Sequence, residues 1–181
     1  NVMGASKRMS ELILQAFSDK SKCCFSMVRF GNVINSSGSV IPLFLDQIEA
    51  GGPITLTDKK MTRFLLTLDQ AVDTVFEAMQ FAEAGETYIP KIKAALIVDI
   101  VNTLVGKKKI EVKETGVRPG EKLHEVLVSQ EEALRTISRG EYFAIQSILP
   151  EVSKPVSPES FEFDELSSEH FLMTFFSSRS I

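Results

Sequence analysis

A run of small polar residues between Gly31 and Ser39 is the first place in the chain where residue types and spacing favour ligand chemistry. The apolar stretch from Phe25 to Phe30 has the composition of a buried strand, and an apolar helical pattern begins at Val40. A buried strand, a polar loop and a helix N-terminus together favour an anion, because free N–H groups and the helix dipole both attract negative charge. An ordinary connection, in which the small residues only make the turn, is the alternative that the spacing leaves open.

Two other groups of residues carry side chains that could face a ligand. Met3 and Lys7 are four apart in a helical pattern and so share a face. Arg63 interrupts an otherwise apolar run, and Arg118 precedes Glu121 by three positions in a Pro-Gly turn. Taken alone, Met3 and Lys7 are more simply a core methionine and a surface lysine, and Arg118 with Glu121 is more simply a surface ion pair near a helix start.

Composition limits the class of protein. The chain has 181 residues, with 44% hydrophobic and 24% charged residues, which is typical of one soluble globular domain or a large part of one. A net charge of −4 argues against a nucleic-acid partner. No apolar run approaches the ~20 residues needed to cross a bilayer, and no signal peptide is recognisable, so we expect neither. The adjacent Cys23 and Cys24 are poor disulfide partners, so we expect reduced thiols in a cytoplasmic protein.

Periodicity predicts an α/β protein in which strands alternate with helices. Thr67 to Gln70 has the form of a capping box, and Ser39 is a candidate N-cap. Helices are predicted over 4–17, 40–50, 68–79, 97–104, from about 121 and over 131–137, and short strands over 54–57, 86–90, 109–113 and 142–145. We expect residues 1–150 to form the folded part and residues 151–181 an irregular tail.

Several separated segments resemble the extended short-chain dehydrogenase/reductases, and more narrowly the nucleotide-sugar 4,6-dehydratases of bacterial polysaccharide synthesis. Their order and spacing carry the resemblance, which runs from Asn1 to about Pro150. The three segments nearest the C-terminus, from Met61 onwards, look most like the branch that acts on UDP-N-acetylglucosamine with inversion at C5. The segments are Asn1-Val-Met-Gly-Ala-Ser-Lys7, Arg29-Phe-Gly-Asn-Val33, Gly38-Ser-Val-Ile-Pro-Leu-Phe44, Thr55-Leu-Thr-Asp58, Met61-Thr-Arg-Phe64, Tyr88-Ile-Pro-Lys91 and Arg118-Pro-Gly-Glu-Lys-Leu-His-Glu125.

The resemblance implies a fold, a reaction and a cofactor. The fold would be the C-terminal portion of an extended short-chain dehydrogenase/reductase, a Rossmann-like sheet remnant with a small α/β substrate-binding subdomain. The reaction would be a lyase reaction, in which NADP or NAD takes hydride from C4 of the sugar, water leaves across C5 and C6, and the hydride returns to C6. A UDP-sugar would be the substrate, and the full-length protein would be a homo-oligomer.

The resemblance also implies roles for residues near the cofactor. Lys7 matches the lysine that hydrogen-bonds the nicotinamide ribose and favours loss of a proton from the sugar hydroxyl. The Val33 backbone matches the contact with the nicotinamide amide. Met3 stands where most of the superfamily has a tyrosine base, and a thioether cannot accept that proton, so we expect Met3 to line the site. Some 4,6-dehydratases share this substitution and rely on an Asp-Lys pair just upstream, which we expect to lie before Asn1.

The remaining matched positions belong to the substrate. Asn32 would reach the sugar or the adjacent phosphate, and the Thr55 and Leu56 backbone would pair with uracil. Ser39 and Val40 would bind the diphosphate, for which the guanidinium groups of Arg63 and Arg118 are well suited. Glu121 would accept hydrogen bonds from the ribose hydroxyls. No metal site is predicted, because His124 and His170 have no metal-like partners.

The glycine-rich turn of a dinucleotide-binding half is missing from the sequence. Its ten glycines are scattered, and only Gly51 and Gly52 are adjacent. We therefore expect a C-terminal fragment of a dehydratase that by itself binds UDP-sugar weakly at best and shows no turnover. Three alternatives stay open: a nucleotide-sugar epimerase or reductase of the same fold, a non-catalytic UDP-sugar-binding module, and an inert pseudogene product whose tail after about Ser167 is out of frame.

Overall fold

The computed structural model describes residues 2–18, 20–36, 38–149, 151 and 161–173. These residues form two compact units, each built from several separate stretches of chain. The first unit contains residues 1–31, 66–91 and 126–166, and the second contains residues 32–65, 92–125 and 167–181. No helix in the described part of the chain is long and apolar enough to span a membrane.

Helices and strands alternate along much of the chain, as the periodicity predicts. The helices are α1 (Val2–Ser18), α2 (Val40–Glu49), α3 (Leu68–Phe81), α4 (Ile97–Val105) and α5 (Gln130–Ala133). The strands are β1 (Met27–Val28), β2 (Asn32–Val33), β3 (Ile54–Leu56), β4 (Thr62–Leu66), β5 (Thr87–Pro90), β6 (Ala94–Leu96), β7 (Val112–Glu114), β8 (Val126–Val128), β9 (Thr136–Arg139), β10 (Tyr142–Ile145) and β11 (Leu166–Ser167).

The first unit is built on a four-stranded mixed sheet in the order β1-β5-β10-β9. Strands β1 and β5 are parallel, and β10 is antiparallel to both of its neighbours. Strand β8 pairs separately with β11. Tyr88, Ile137, Ala144 and Ala78 of α3 form a buried cluster. The Thr67 capping box at the start of α3 is confirmed, since the Thr67 and Gln70 side chains each bond the other residue's backbone N–H.

The second unit combines two small sheets with two helices. One sheet has the order β2-β4-β6, in which β4 and β6 are antiparallel, and the other pairs β3 with β7 in parallel. Phe44 of α2, Ile54 and Leu56 of β3, and Val101 of α4 are almost fully buried in the core of this unit. Gly52 makes the turn from α2 into β3 at a positive φ, where a Cβ would lie 2.7 Å from Ile110 Cγ2.

Several sequence predictions of local structure are wrong. Helical periodicity predicts one apolar stripe on α1, but all of its residues are exposed, and Gln15 and Ser18 are the helix's buried residues. The predicted stripe is Ala5, Met9, Leu12, Ile13 and Ala16. Helical periodicity also predicts one apolar face on α3, of which Ala71 is buried and the other residues are exposed. The exposed residues of that face are Leu68, Val72, Val75, Phe76 and Met79. No helix begins at Glu121, because the chain stays irregular there and enters β8. The strand predicted over 25–30 shortens to β1, and β4 is missing from the prediction.

The part of the tail that the structure describes packs on the rest of the chain. Phe161 is buried and its ring contacts Phe143 edge-on, with centroids 4.9 Å apart. Phe171 lies against Phe64, and its carbonyl accepts a hydrogen bond from the Ala94 N–H. The sequence of the tail has an apolar end, Phe171, Leu172, Phe175 and Phe176, which favours packing on the domain or on a partner. Phe175 and Phe176 lie outside the described residues.

Candidate functional site

A cleft of about 250 Å³ lies within the second unit. It is formed where the loop after β2, the first turn of α2, and strands β3 and β4 come together. Eight of the eleven residues that the sequence analysis singled out line it, contributed by four separate stretches of chain. They are Asn32, Val33, Ser39, Val40, Thr55, Leu56, Arg63 and Glu121.

The N-terminus of α2 presents unsatisfied polar groups to this cleft. Ser39 is the N-cap residue, but its side chain makes no capping hydrogen bond. The Ser39 Oγ is buried and has no hydrogen-bond partner among the residues that the structure describes. A buried hydroxyl without a partner costs about 1–3 kcal/mol, which a polar ligand could recover. The free N–H groups of the first turn add a partial positive charge.

Arg63 is held in a fixed orientation by backbone carbonyl groups. Its Nη1 donates to the carbonyls of Thr62 and Leu123, at 2.7 and 2.9 Å, and its Nη2 donates to the Lys122 carbonyl at 2.9 Å. The Nε lies 3.6 Å from a carboxylate oxygen of Glu125, and the side chain is 12% exposed. The carbonyls occupy three of the five guanidinium donors, which leaves the Nε–H and one Nη2–H for an anion.

A buried hydroxyl network supports the strand that carries Arg63. The Thr62 Oγ1 lies 2.8 Å from His124 Nδ1 and 2.6 Å from the Ser168 Oγ. The Ser168 hydroxyl also accepts a hydrogen bond from the Glu125 N–H at 2.8 Å. These contacts join β4, the 121–125 stretch and the tail. They therefore hold the strand that carries Arg63 against the stretch whose carbonyl groups accept its hydrogen bonds. No sequence signal points to a role for His124 or to this network, because its members are far apart in the chain.

Thr55, on the opposite strand of the cleft, is bound by a helix side chain. The Gln47 Nε2 of α2 donates to the Thr55 Oγ1 at 2.8 Å, and the Thr55 N–H donates to the Gln47 Oε1 at 3.0 Å. Gln47 does not line the cleft itself. No sequence signal points to this pair, because a glutamine in mid-helix is usually a solvated residue.

Apolar side chains form the rest of the cleft wall. Ile41, Phe44, Met61, Leu65 and Ile97 all line it. A wall of this kind suits a flat ring or an apolar sugar face, while the polar groups orient the ligand. All five also pack in or against the core of this unit.

Arg118 is absent from the residues that line the cleft. Its side chain is exposed, and its backbone N–H lies 3.3 Å from the Glu121 Oε2. Arg118 therefore bonds Glu121, which lines the cleft, through its main chain. The ion pair that the Arg118-Glu121 spacing suggested does not occur among the described contacts.

Met3 and Lys7 lie on α1 in the first unit, and neither residue lines the cleft. Both are exposed. One turn after Lys7, Glu11 is bound by Arg29, whose Nε and Nη2 donate to its two carboxylate oxygens at 2.7 and 2.6 Å. Arg29 also donates to Glu132 of α5, twice at 2.8 Å. The helix that presents Lys7 is thus anchored by a network of charges.

This network changes the ionisation of its members. Burial raises the pKa of Glu132, but hydrogen bonds and positive charge from Arg29 outweigh burial and hold the pKa at about 2. The pKa of Glu11 is lowered, because the opposing effect of burial is exceeded by hydrogen bonds from Arg29 and Arg8. Both carboxylates are therefore ionised at neutral pH and balance the Arg29 charge.

The chain matches one family model and several curated relatives. The model of the family described as polysaccharide biosynthesis protein matches residues 1–147. The capsular polysaccharide biosynthesis protein CapD of Staphylococcus aureus is 46% identical over 73% of this chain and 23% of its own length. A UDP-glucose 4-epimerase of Rickettsia bellii is 37% identical, covering 80% of this chain and 44% of its own.

The UDP-N-acetylglucosamine 4,6-dehydratase (inverting) of Campylobacter jejuni is 34% identical, covering 85% of this chain and 47% of its own length. The chain thus spans less than half of these curated relatives. Among solved structures, Pen from Bacillus thuringiensis superimposes with a TM-score of 0.85 at 33% identity, over 96% of this chain and 55% of that one.

The dTDP-glucose 4,6-dehydratase DesIV of Streptomyces venezuelae, solved with NAD bound, gives a TM-score of 0.59 at 21% identity. The superposition covers 66% of this chain and 39% of the DesIV chain. The fold is therefore the α/β fold of the extended short-chain dehydrogenase/reductases, as the sequence analysis predicted.

Proposed function

Because this chain belongs to the polysaccharide biosynthesis protein family, we propose that its cleft binds the UDP part of a nucleotide sugar. The observation that carries the proposal is the convergence of an unpartnered buried hydroxyl, a helix N-terminus and a guanidinium with two unused donors on one cleft. A diphosphate requires such donors, and the apolar wall formed by Phe44 and its neighbours suits a pyrimidine.

The reaction that we propose is 4,6-dehydration of UDP-N-acetylglucosamine in surface polysaccharide synthesis. A nicotinamide cofactor, NADP or NAD, would supply hydride transfer, and Lys7 would hydrogen-bond its ribose while Val33 contacts the nicotinamide amide. Lys7 would also stabilise the alkoxide that develops as the sugar is oxidised. Arg63 and Ser39 would hold the diphosphate, and Glu121 would accept hydrogen bonds from the ribose.

Met3 supports dehydration over epimerisation. Epimerases and reductases of this fold usually have a tyrosine base at the matched position, and a thioether cannot take up a proton. Epimerisation remains the second candidate, because the Rickettsia relative named UDP-glucose 4-epimerase is 37% identical to this chain. Product analysis separates the two in any longer protein that joins these residues to a dinucleotide-binding half, since only dehydration yields a 4-keto-6-deoxy sugar.

Calorimetric titration of the 181-residue chain with UDP tests the cleft directly. We expect one UDP to bind per chain, and Arg63→Gln to weaken binding about 10- to 100-fold, because a charge-assisted hydrogen bond contributes about 1.5–3 kcal/mol. Lys60→Gln is the matched control, since Lys60 is exposed and does not line the cleft. Equal affinity of the Arg63 variant and the unchanged chain would contradict the proposal.

The same titration addresses the non-catalytic alternative. Tight binding of UDP by this chain, with no turnover by any longer protein that carries it, would favour a nucleotide-sugar-binding module. Formation of a 4-keto product from UDP-N-acetylglucosamine and NADP would favour the enzyme.

A further inference from the structure

We propose that the Thr55 hydroxyl is a hydrogen-bond donor to an acceptor oxygen of the ligand, and that Gln47 fixes it in this role. The inference rests on the proposed function, because it takes the cleft to be the nucleotide site. It adds a specificity-determining side chain at Thr55 and a positioning residue at Gln47.

The orientation of the Gln47 amide follows from its contact with the backbone. The Thr55 N–H can only donate, so the amide atom that faces it at 3.0 Å must be the oxygen. This assignment places the Gln47 NH₂ group against the Thr55 Oγ1 at 2.8 Å. The usual ambiguity between amide oxygen and nitrogen is therefore removed by the backbone.

The polarity of the Thr55 hydroxyl follows in turn. A hydroxyl has one proton to donate and lone pairs to accept with, and here a lone pair is occupied by the Gln47 NH₂. The Gln47 NH₂ has no acceptor capacity, so the Thr55 proton cannot be donated back to it. Among the residues that the structure describes, the Thr55 Oγ1 makes no other hydrogen bond. Its proton is left for a ligand or water.

The position of Thr55 directs this donor to the cleft. In β3, Thr55 is half-buried between the fully buried Ile54 and Leu56. Thr55 lines the cleft and Gln47 does not. The ligand groups that suit this donor are the carbonyl oxygens of a pyrimidine and the oxygens of a diphosphate. An amino group, such as that on cytosine, would not satisfy it.

Gln47→Glu separates this role from a purely structural link between α2 and β3. A carboxylate still accepts from the Thr55 N–H, but its second oxygen accepts from the Thr55 hydroxyl and thereby uses the proton. The hydrogen bonds between α2 and β3 are kept, but the Thr55 hydroxyl now donates to residue 47 instead of accepting from it. We expect the thermal midpoint to stay near that of the unchanged chain while UDP affinity falls about three- to tenfold, as on loss of one neutral hydrogen bond.

Thr55→Val should give a similar loss of UDP affinity, and Thr55→Ser should restore most of it. Adding Gln47→Glu to Thr55→Val should cause no further loss, because the proton is already absent. Titrations with uridine and with inorganic pyrophosphate identify the acceptor. If Thr55→Val lowers the affinity for uridine, the Thr55 hydroxyl contacts the nucleoside. If it lowers the affinity for pyrophosphate alone, the hydroxyl contacts the phosphates.

Titration with uridine also controls for the negative charge that Gln47→Glu adds, because uridine is uncharged and is not repelled by it. The inference is overturned if the folded Thr55→Val chain binds UDP, uridine and pyrophosphate within twofold of the unchanged chain. It is overturned equally if Gln47→Glu lowers affinity as much in the Thr55→Val background as alone. Failure of the unchanged chain to bind UDP refutes the proposed function itself and, with it, this inference.

Discussion

The Glu125 carboxylate lies 3.6 Å from the Arg63 Nε, on one of the two guanidinium donors that a ligand could use. It therefore competes with any anion for that donor, and its negative charge repels a diphosphate. We predict that Glu125→Gln raises UDP affinity about two- to fivefold, as expected for one partly exposed charge near the surface. Titration calorimetry at low and high salt measures the effect, which should diminish at 1 M salt.

Glu111→Gln provides the matched comparison for this prediction. Glu111 is an exposed acid of the same unit, it does not line the cleft, and the substitution makes the same change in net charge. Equal gains from both variants would mean that only net charge matters. Such a result would count against a specific competition at Arg63.

Glu132 gives the chain a stability that depends on pH. Its pKa is about 2 in the folded chain and about 4.5 without interactions, so the folded state favours the ionised form. This contribution, about 3 kcal/mol, is fully present above pH 5 and is lost as the pH falls towards 2. We predict that Glu132→Gln lowers the free energy of unfolding at pH 7 and reduces its dependence on pH across this range.

Urea unfolding between pH 3 and 7 checks the Glu132 prediction. The neighbouring Glu131 is exposed, so Glu131→Gln should leave both the stability and its pH dependence nearly unchanged. If the free energy of unfolding of the Glu132→Gln variant varied with pH as steeply as that of the unchanged chain, the prediction would be wrong. Glu132 would then not be the source of the pH dependence.

Single residues differ in how far the sequence reveals their roles. Ser39 was found because small polar residues before a helical pattern identify a helix start, which is a local signal. The Gln47–Thr55 pair and the carbonyl groups around Arg63 were not found. Both depend on how α2, β3 and the 121–125 stretch fold against one another, and no spacing in the sequence encodes that.

Helix α3 shows the limit of periodicity at the scale of one element. Its apolar residues recur at helical spacing, yet the side that packs on the sheet is made of small residues, Ala71, Thr74 and Ala78. The large residues of the pattern face outwards, and Phe76 is 63% exposed. A hydrophobic stripe thus identified the helix but not the side that packs on this unit.

We predict that Phe76→Glu leaves the thermal midpoint within about 1 °C and reduces self-association, because it replaces exposed apolar surface by charge. Light scattering against concentration, with a thermal melt, measures both quantities. Ala78→Glu is the contrasting variant, since Ala78 is 3% exposed and a buried carboxylate there should unfold the chain. A large loss of stability in the Phe76 variant would place this residue in the core.

Local capping chemistry predicted element starts better than composition did. The Thr67 capping box is confirmed, because it depends only on residues three apart. The helix expected at Glu121 is wrong. Carbonyl groups of this stretch instead accept hydrogen bonds from β4 and Arg63. The Leu123 carbonyl accepts from the Thr62 N–H and the Arg63 Nη1, and the Lys122 carbonyl accepts from the Arg63 Nη2. Tertiary hydrogen bonds outweighed helix propensity in this stretch.

At the scale of the whole molecule, every residue that lines the cleft belongs to the second unit. Binding of UDP should therefore slow hydrogen exchange mainly there. We predict protection of backbone amides in α2, β3 and β4, with little change in α3 of the first unit. Exchange measured by mass spectrometry with and without saturating UDP tests this. Equal protection of α3 would contradict a ligand site confined to the second unit.

The chain passes from one unit to the other five times, after Gly31, Leu65, Lys91, Glu125 and Leu166. Neither unit is therefore an unbroken stretch of the gene, and no pair of cuts could liberate either one whole. During synthesis, the first unit cannot be completed until Leu166 has left the ribosome, long after α1 has emerged. Recombination that exchanged either unit between relatives would have to transfer at least three separate pieces of coding sequence together.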